Sequence, residues 1–214
     1  MKPSFPLFLA ALLAAPAQAG WRDISSADFT LEAPPAPGTD AYKADFDELL
    51  KLQKERGEAQ CKLATSQRSP DLVSFYAGSG LLSEKELAKA TPLFAQILQK
   101  VTQISNPFKA KFKRPRPYDA DERIKPCAPK PGGATSYPST HSMAGAVYGC
   151  ALAKAFPDRA EKLAERGNLA GDLRKIAGVH HPSDVAASQA LGAEICAKLL
   201  ADKGFVKEIE AASR

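Results

Sequence analysis

Nowhere in this sequence do apolar and polar side chains alternate with the two-residue period of a half-buried strand. Where apolar residues recur, they do so every third or fourth position, the period of a helix with one buried face. Phe46, Leu49 and Leu50 mark such a face on a predicted helix from about Tyr42 to Gln60. A short helix is expected over Pro70 to Ala77, ended by Gly78-Ser79-Gly80. Ser83 and Glu86 form a capping box that starts another. Thr91-Pro92 supplies an N-cap and a first-turn proline, so a further helix is expected there, with Phe94, Ile97, Leu98, Val101 and Ile104 inward. Helices follow from about Thr140 to Phe156, from Asp158 to Ala177 with a break at Gly167, and from Pro182 to about Leu200. The fold class is therefore all-α, a single-domain helical bundle.

The first residues follow a different logic. Met1-Lys2 precedes an apolar run from Phe5 to Ala15 and then Ala17-Gln18-Ala19, the pattern of a secretory signal peptide cleaved after Ala19. This reading gives a signal peptide over residues 1–19 and one domain over 20–214, in the periplasm. The run is too short to span a bilayer, and Met143 to Ala153, the best later candidate, ends at Lys154, so no stable membrane insertion is expected. Cys61, Cys127, Cys150 and Cys196 then read as two disulfides, with three pairings open.

Candidate chemistry collects in the second half. From Asn106 to Pro138 the chain is rich in proline and charge and reads as one long irregular segment. Lys109, Lys111, Lys113, Arg114 and Arg116 crowd together within it. Arginine offers a planar fork matched to phosphate oxygens. All three histidines, His141, His180 and His181, lie beyond it at predicted helix starts, where free N–H groups favour anions. Asp184, four residues after His180, can orient that imidazole and leave its other nitrogen free to attack. There is no H-E-x-x-H and no acidic cluster, and the adjacent His180 and His181 cannot easily aim together, so no metal and no cofactor are expected.

Three blocks stand in order: Lys109, six residues, Arg116-Pro117; Pro138-Ser139-Thr140-His141; and Arg174, five residues, His180, three residues, Asp184. Together they resemble the pattern of the type 2 phosphatidic acid phosphatase (PAP2) superfamily, whose haloperoxidase-like helical bundle is then the implied fold. Ser136-Tyr137-Pro138-Ser139, Arg166 to Gly171 and the Pro-rich opening at residues 33–38 are similar to the bacterial class A non-specific acid phosphatases. Two positions depart. Thr140 stands where the signature has glycine, and Leu173 where it has serine.

The resemblance implies a metal-free phosphomonoesterase. Lys109, Arg116, Ser139, Thr140 and Arg174 would hold the phosphoryl group. His180 would attack phosphorus, Asp184 would orient His180, and His141 would protonate the leaving alcohol and then activate water. On this reading His141 starts protonated and His180 neutral. The partner is a small phosphate ester rather than nucleic acid, and the resemblance leaves open whether the chain self-associates. A vanadium-dependent haloperoxidase-like enzyme and a non-catalytic anion-binding protein are the alternatives.

Overall fold

A computed structural model describes residues 20–213. The proposed signal peptide lies outside these described residues. Among them are nine α-helices and no strand: α1 (Asp40–Glu55), α2 (Glu58–Ser66), α3 (Leu72–Tyr76), α4 (Glu84–Phe112), α5 (Pro117–Ala120), α6 (Thr140–Ala155), α7 (Ala160–Ile176), α8 (Pro182–Ala201) and α9 (Lys203–Ser213). The all-α expectation holds, and several boundaries differ for identifiable reasons.

The helix expected over Tyr42 to Gln60 is two. Arg56 is extended (ψ 132°), and Gly57 caps α2 with its N–H on the Gln60 side chain at 2.9 Å. Leaving the helix lets the Arg56 guanidinium reach the carbonyls of Ile176 and Lys125. Conversely, the two helices expected around Ser83 and Thr91 are one, and α4 runs through both Pro92 and Pro107 to Phe112. An interior proline costs about 3 kcal/mol. Burying each of Phe94, Ile97, Val101, Ile104 and Phe108 on one face stabilises by about 1.5–3 kcal/mol, so packing outweighs the prolines. The irregular segment accordingly begins at Lys113, in the left-handed region, rather than at Asn106. Helix α9 was not anticipated. Phe205 and Ile209 form its buried face, Asp202 caps Phe205 N–H at 2.7 Å, and Trp21 meets Phe205 edge to face.

Helix α6 lies at the centre, against α7 and α8. Glycines permit the approach: a Cβ on Gly167 would stand 2.2 Å from the Gly145 carbonyl oxygen, and one on Gly149 2.9 Å from the Ala164 Cα. This is why α7 is not broken at Gly167; the glycine serves the contact rather than a turn. Gly167→Ala should destabilise the protein by about 1–3 kcal/mol through overpacking. Its melting temperature, compared with that of Lys89→Ala at an exposed position of α4, checks this.

Two disulfides settle the open pairing: Cys61–Cys127 ties α2 to the loop before α6, and Cys150–Cys196 ties α6 to α8. They close loops of 66 and 46 residues, and by loop-closure entropy each stabilises by about 4 kcal/mol. Thiol reductant should therefore lower the melting temperature sharply. No shift on full reduction, verified by thiol titration, would contradict the pairing.

Candidate active site

The three sequence blocks converge at one end of the bundle. Lys109 projects from the last turn of α4, Arg116 from the loop after it, Ser139, Thr140 and His141 from the start of α6, Arg174 from the end of α7, and His180 and Asp184 from the entry to α8. Local chemistry fixes that entry. Gly178 takes φ +73° after α7, a left-handed turn that suits glycine. Val179 N–H bonds back to the Arg174 carbonyl at 3.1 Å, so Arg174 and His180 are presented by one compact turn. Asp184 then accepts the His181 backbone N–H at 2.9 Å, as the acid of a capping box.

The hydrogen bonds assign the His180 tautomer. Arg116 Nη1 lies 2.8 Å from His180 Nε2, and a guanidinium only donates. Nε2 therefore holds the lone pair, and Nδ1–H points to Asp184 Oδ2 at 3.4 Å. Burial pushes the His180 imidazole down to about 3, with the Asp184 hydrogen bond opposing. For Asp184, burial would raise the carboxyl, but the His180 hydrogen bond and the charges of His180, Arg114 and His181 hold it well below the carboxylate range. These causes favour a neutral His180 beside an ionised Asp184.

Three cations define the rest of the pocket, and none has a carboxylate partner. Lys109 Nζ donates to the Pro138 carbonyl, Arg116 to those of Gly133 and Val179 at 3.1 and 3.0 Å, and Arg174 to that of Ala64 at 2.5 Å. Arg174 Nε is buried with no partner. Burial and then Arg116 pull Lys109 down to about 8, and burial and then Arg116 pull Arg174 down to about 10. Arg116 is lowered chiefly by burial. Asp184 offsets part of the charge of Lys109 and Arg116 from a distance; the buried positive charge that remains is costly, and an anion with several oxygens would offset it.

Ser139 caps α6: its Oγ accepts from Ser142 N–H at 3.3 Å, while its own N–H donates to Ser188 Oγ at 2.7 Å. Thr140 opens the helix, so its amide is one of the N–H groups without an intrahelical acceptor. Its hydroxyl lies 3.0 Å from Ser105 Oγ on α4, which is how threonine is accommodated where glycine was expected. Leu173 is buried against Ala64, Ala177 and Val179, so the other departure packs α7 onto α2 instead of adding a hydrogen bond at the pocket.

His141 Nε2 lies 2.7 Å from the Arg68 carbonyl, so Nε2 carries hydrogen. Burial, then the Arg174 charge, lowers the imidazole to about 3, with the Arg68 and Gln67 carbonyls opposing. Both leading causes favour the neutral ring in the free site, where a protonated start was expected. His181 is turned away, fully buried against Phe46 with Nε2 3.3 Å from the Pro115 carbonyl.

Several supporting groups were not singled out from sequence. The end of α2 and the chain just beyond it supply the Ala64 and Arg68 carbonyls to Arg174 and His141. Arg114 bridges Asp184 Oδ1 at 2.6 Å and Asp45 Oδ2 at 2.7 Å. Arg114 stood in the noted basic run, two residues before Arg116; nothing local distinguishes Asp45 from any other helix acid.

A bundle whose helix ends gather these three blocks defines a class, and comparison with known proteins identifies it. Residues 89–203 match the PAP2 superfamily model, and the chain belongs to that superfamily. It is 29% identical over 188 residues to the non-specific acid phosphatase of Salmonella typhimurium, covering 82% of this chain and 75% of that one. To the acid phosphatase of Zymomonas mobilis it is 28% identical over 194 residues, covering 86% and 73%. Among solved structures, the transmembrane PAP2-type phosphatidylglycerolphosphate phosphatase of Bacillus subtilis superposes with a TM-score of 0.55 at 21% identity, over 79% of this chain and 88% of that one, a likeness of fold. Among the described residues of this chain, no helix is long and apolar enough to cross a membrane.

Proposed function

We propose that the chain is an exported acid phosphatase, one domain over residues 20–214, hydrolysing small phosphate monoesters through a phosphohistidine on His180 without a metal. The observation that carries this reading is the cluster of three buried cations, Lys109, Arg116 and Arg174, satisfied only by neutral carbonyls beside a neutral histidine. Phosphoryl transfer needs charge stabilisation and alignment, and these groups can supply both. The two disulfides support an oxidising compartment. The named acid phosphatases among its relatives support the activity.

When the phosphoryl oxygens arrive, Arg116 shifts its hydrogen bond from His180 Nε2 to them and frees the lone pair. Nε2 attacks phosphorus, the P–N bond forms, and the P–O bond to the leaving group breaks. Asp184 holds Nδ1–H as that ring becomes positive. His141 Nδ1 gives a proton to the departing oxygen, then takes one from the water that displaces the phosphoryl group, restoring neutral His180 and releasing inorganic phosphate.

Because His141 is neutral in the free site, its proton enters with the substrate. A bound phosphoryl dianion offsets the fields of Arg174 and Arg116 that depress the imidazole, so His141 picks up a proton on binding. Binding of an anion that raises this pKa tightens as pH falls through the value that His141 takes in the complex. Inorganic phosphate should accordingly inhibit more strongly at pH 5 than at pH 7, and His141→Ala should flatten that dependence.

The activity itself is tested with an aryl phosphate in excess chelator: full turnover supports the reading, and loss of turnover restored by a divalent metal contradicts it. Vanadate separates the haloperoxidase-like alternative, since it should inhibit a phosphatase and would switch on halide oxidation in a peroxidase.

A further inference from the structure

Behind His180 and Asp184 lies a second buried ion pair that the reaction above does not use. Arg114 is 5% and Asp45 4% exposed, although neither touches the phosphate pocket. Arg114 Nη1 donates to Asp184 Oδ1 at 2.6 Å and to Ser183 Oγ at 2.7 Å, and Nη2 donates to Asp45 Oδ2 at 2.7 Å. Asp45, on α1, accepts the Ser183 backbone N–H on its other oxygen at 2.8 Å, so it also caps α8 from a distant helix. The chain thus runs from α1 through Arg114 to the carboxylate that orients His180.

We propose that Arg114, braced by Asp45, is a positioning residue that keeps Asp184 ionised and aimed at His180, and thereby keeps protonation of Asp184 from setting the acidic limit of turnover. The inference rests on the phosphohistidine reading. Protonating Asp184 would turn it into a donor, place the His180 proton on Nε2 and remove the attacking lone pair. A fully buried carboxyl without a cation would accept a proton readily. Arg114 supplies that cation through a hydrogen bond shorter than the 3.4 Å His180 contact.

Other charged groups face Asp184 but do not do this. His180 and His181 lie on its own segment, and His181 touches it through its backbone N–H. From α4 and the loops beyond come Lys109, Arg116 and Tyr137, and from α1 comes Asp45. Lys109 donates to Pro138, Arg116 faces His180 Nε2, and the Tyr137 hydroxyl donates to Glu32. His141 on α6 meets the Arg68 carbonyl beyond α2, and Arg174 on α7 the Ala64 carbonyl on α2. Arg114 is the side chain whose permanent charge touches this carboxylate.

The test compares pH profiles of kcat and kcat/KM for wild type, Arg114→Gln, Arg114→Lys and Asp45→Asn, alongside melting temperatures and rapid-quench labelling at histidine. In Arg114→Gln the acidic limb should move up by about 1–3 pH units, the range over which a paired cation shifts a carboxylate. The loss should fall on kcat, with KM and phosphate inhibition near wild type. Arg114→Lys should restore most of the limb. Asp45→Asn leaves the Arg114 charge on Asp184, so it should lower the melting temperature without raising the limb. A merely structural role would lower stability in all three variants and leave the limb in place. Wild-type labelling with an unmoved limb in folded Arg114→Gln overturns this inference alone; absence of wild-type labelling overturns the mechanism beneath it as well. Should Arg114→Gln not fold, Arg114→Lys read against Asp45→Asn decides: a limb higher than wild type in Arg114→Lys and unmoved in Asp45→Asn supports the proposal, and any other order overturns it.

Discussion

His180→Ala should lower kcat for an aryl phosphate by about 10⁴-fold or more, as loss of a nucleophile does, while the melting temperature changes by only a few degrees. In the proposed mechanism the side chain attacks from Nε2, whose lone pair is left by the tautomer compatible with donation from Arg116. No neighbour can replace it. His181 is adjacent in sequence, yet its ring packs on Phe46 and its Nε2 meets the Pro115 carbonyl. His181→Ala should therefore cost stability, through loss of that packing, more than it costs kcat at fixed folded concentration. Steady-state kinetics with thermal melts on both variants separates the two roles. Comparable losses of kcat from both would mean that the attacking ring has been misassigned.

Arg174→Met should have two effects of opposite sign. Removing one of the three cations proposed to bind phosphate should lower kcat/KM by about 10²–10³-fold, the scale of losing one preorganised donor at a developing charge. The same change should leave stability unchanged or raise it in anion-free buffer. Arg174 is 2% exposed, its Nε has no partner, and burial and Arg116 both work against its charge. A buried ion replaced by an apolar side chain of similar length is often neutral or stabilising. Saturating phosphate should reverse the comparison, because an anion stabilises only the form that binds it. A large drop in melting temperature without phosphate would show that Arg174 serves the fold rather than the pocket.

The pH dependence of stability follows from the same groups. His141 and His180 sit near 3 when folded, below their free values, so the unfolded chain binds more protons between about 3 and 6.5. Asp184, depressed when folded, acts in the same direction at lower pH. The contribution of these three groups is thus full above about pH 6.5 and declines as pH falls through that window.

The site was legible where chemistry dictates spacing. Three residues between His180 and Asp184 bring the two side chains together over one helical turn, and the blocks holding Lys109 and Arg116 meet them as the spacing suggested. The distant supports were not legible. Asp45 lies 139 positions before Asp184 and carries no local signature, and Arg68 acts through a backbone carbonyl that any residue would provide. Helix types were readable from apolar spacing, whereas their ends were not. Pro107 looked like a terminator, but Ile104 and Phe108 bury on either side of it and carry α4 through to Lys109. Arg56 left a good helical pattern for two remote carbonyls. In both places tertiary contacts overrode local preference. Leu173 shows the converse: read as a missing hydrogen bond, it is a packing residue between α7 and α2.

The most direct measurement is rapid-quench labelling with a ³²P-phosphate ester, followed by peptide mapping. Alkali-stable, acid-labile label should appear on the peptide holding His180, accumulate further in His141→Ala because water is no longer activated, and be absent from His180→Ala. Label on any other residue, or turnover with no trapped phosphoenzyme in His141→Ala, would contradict the mechanism.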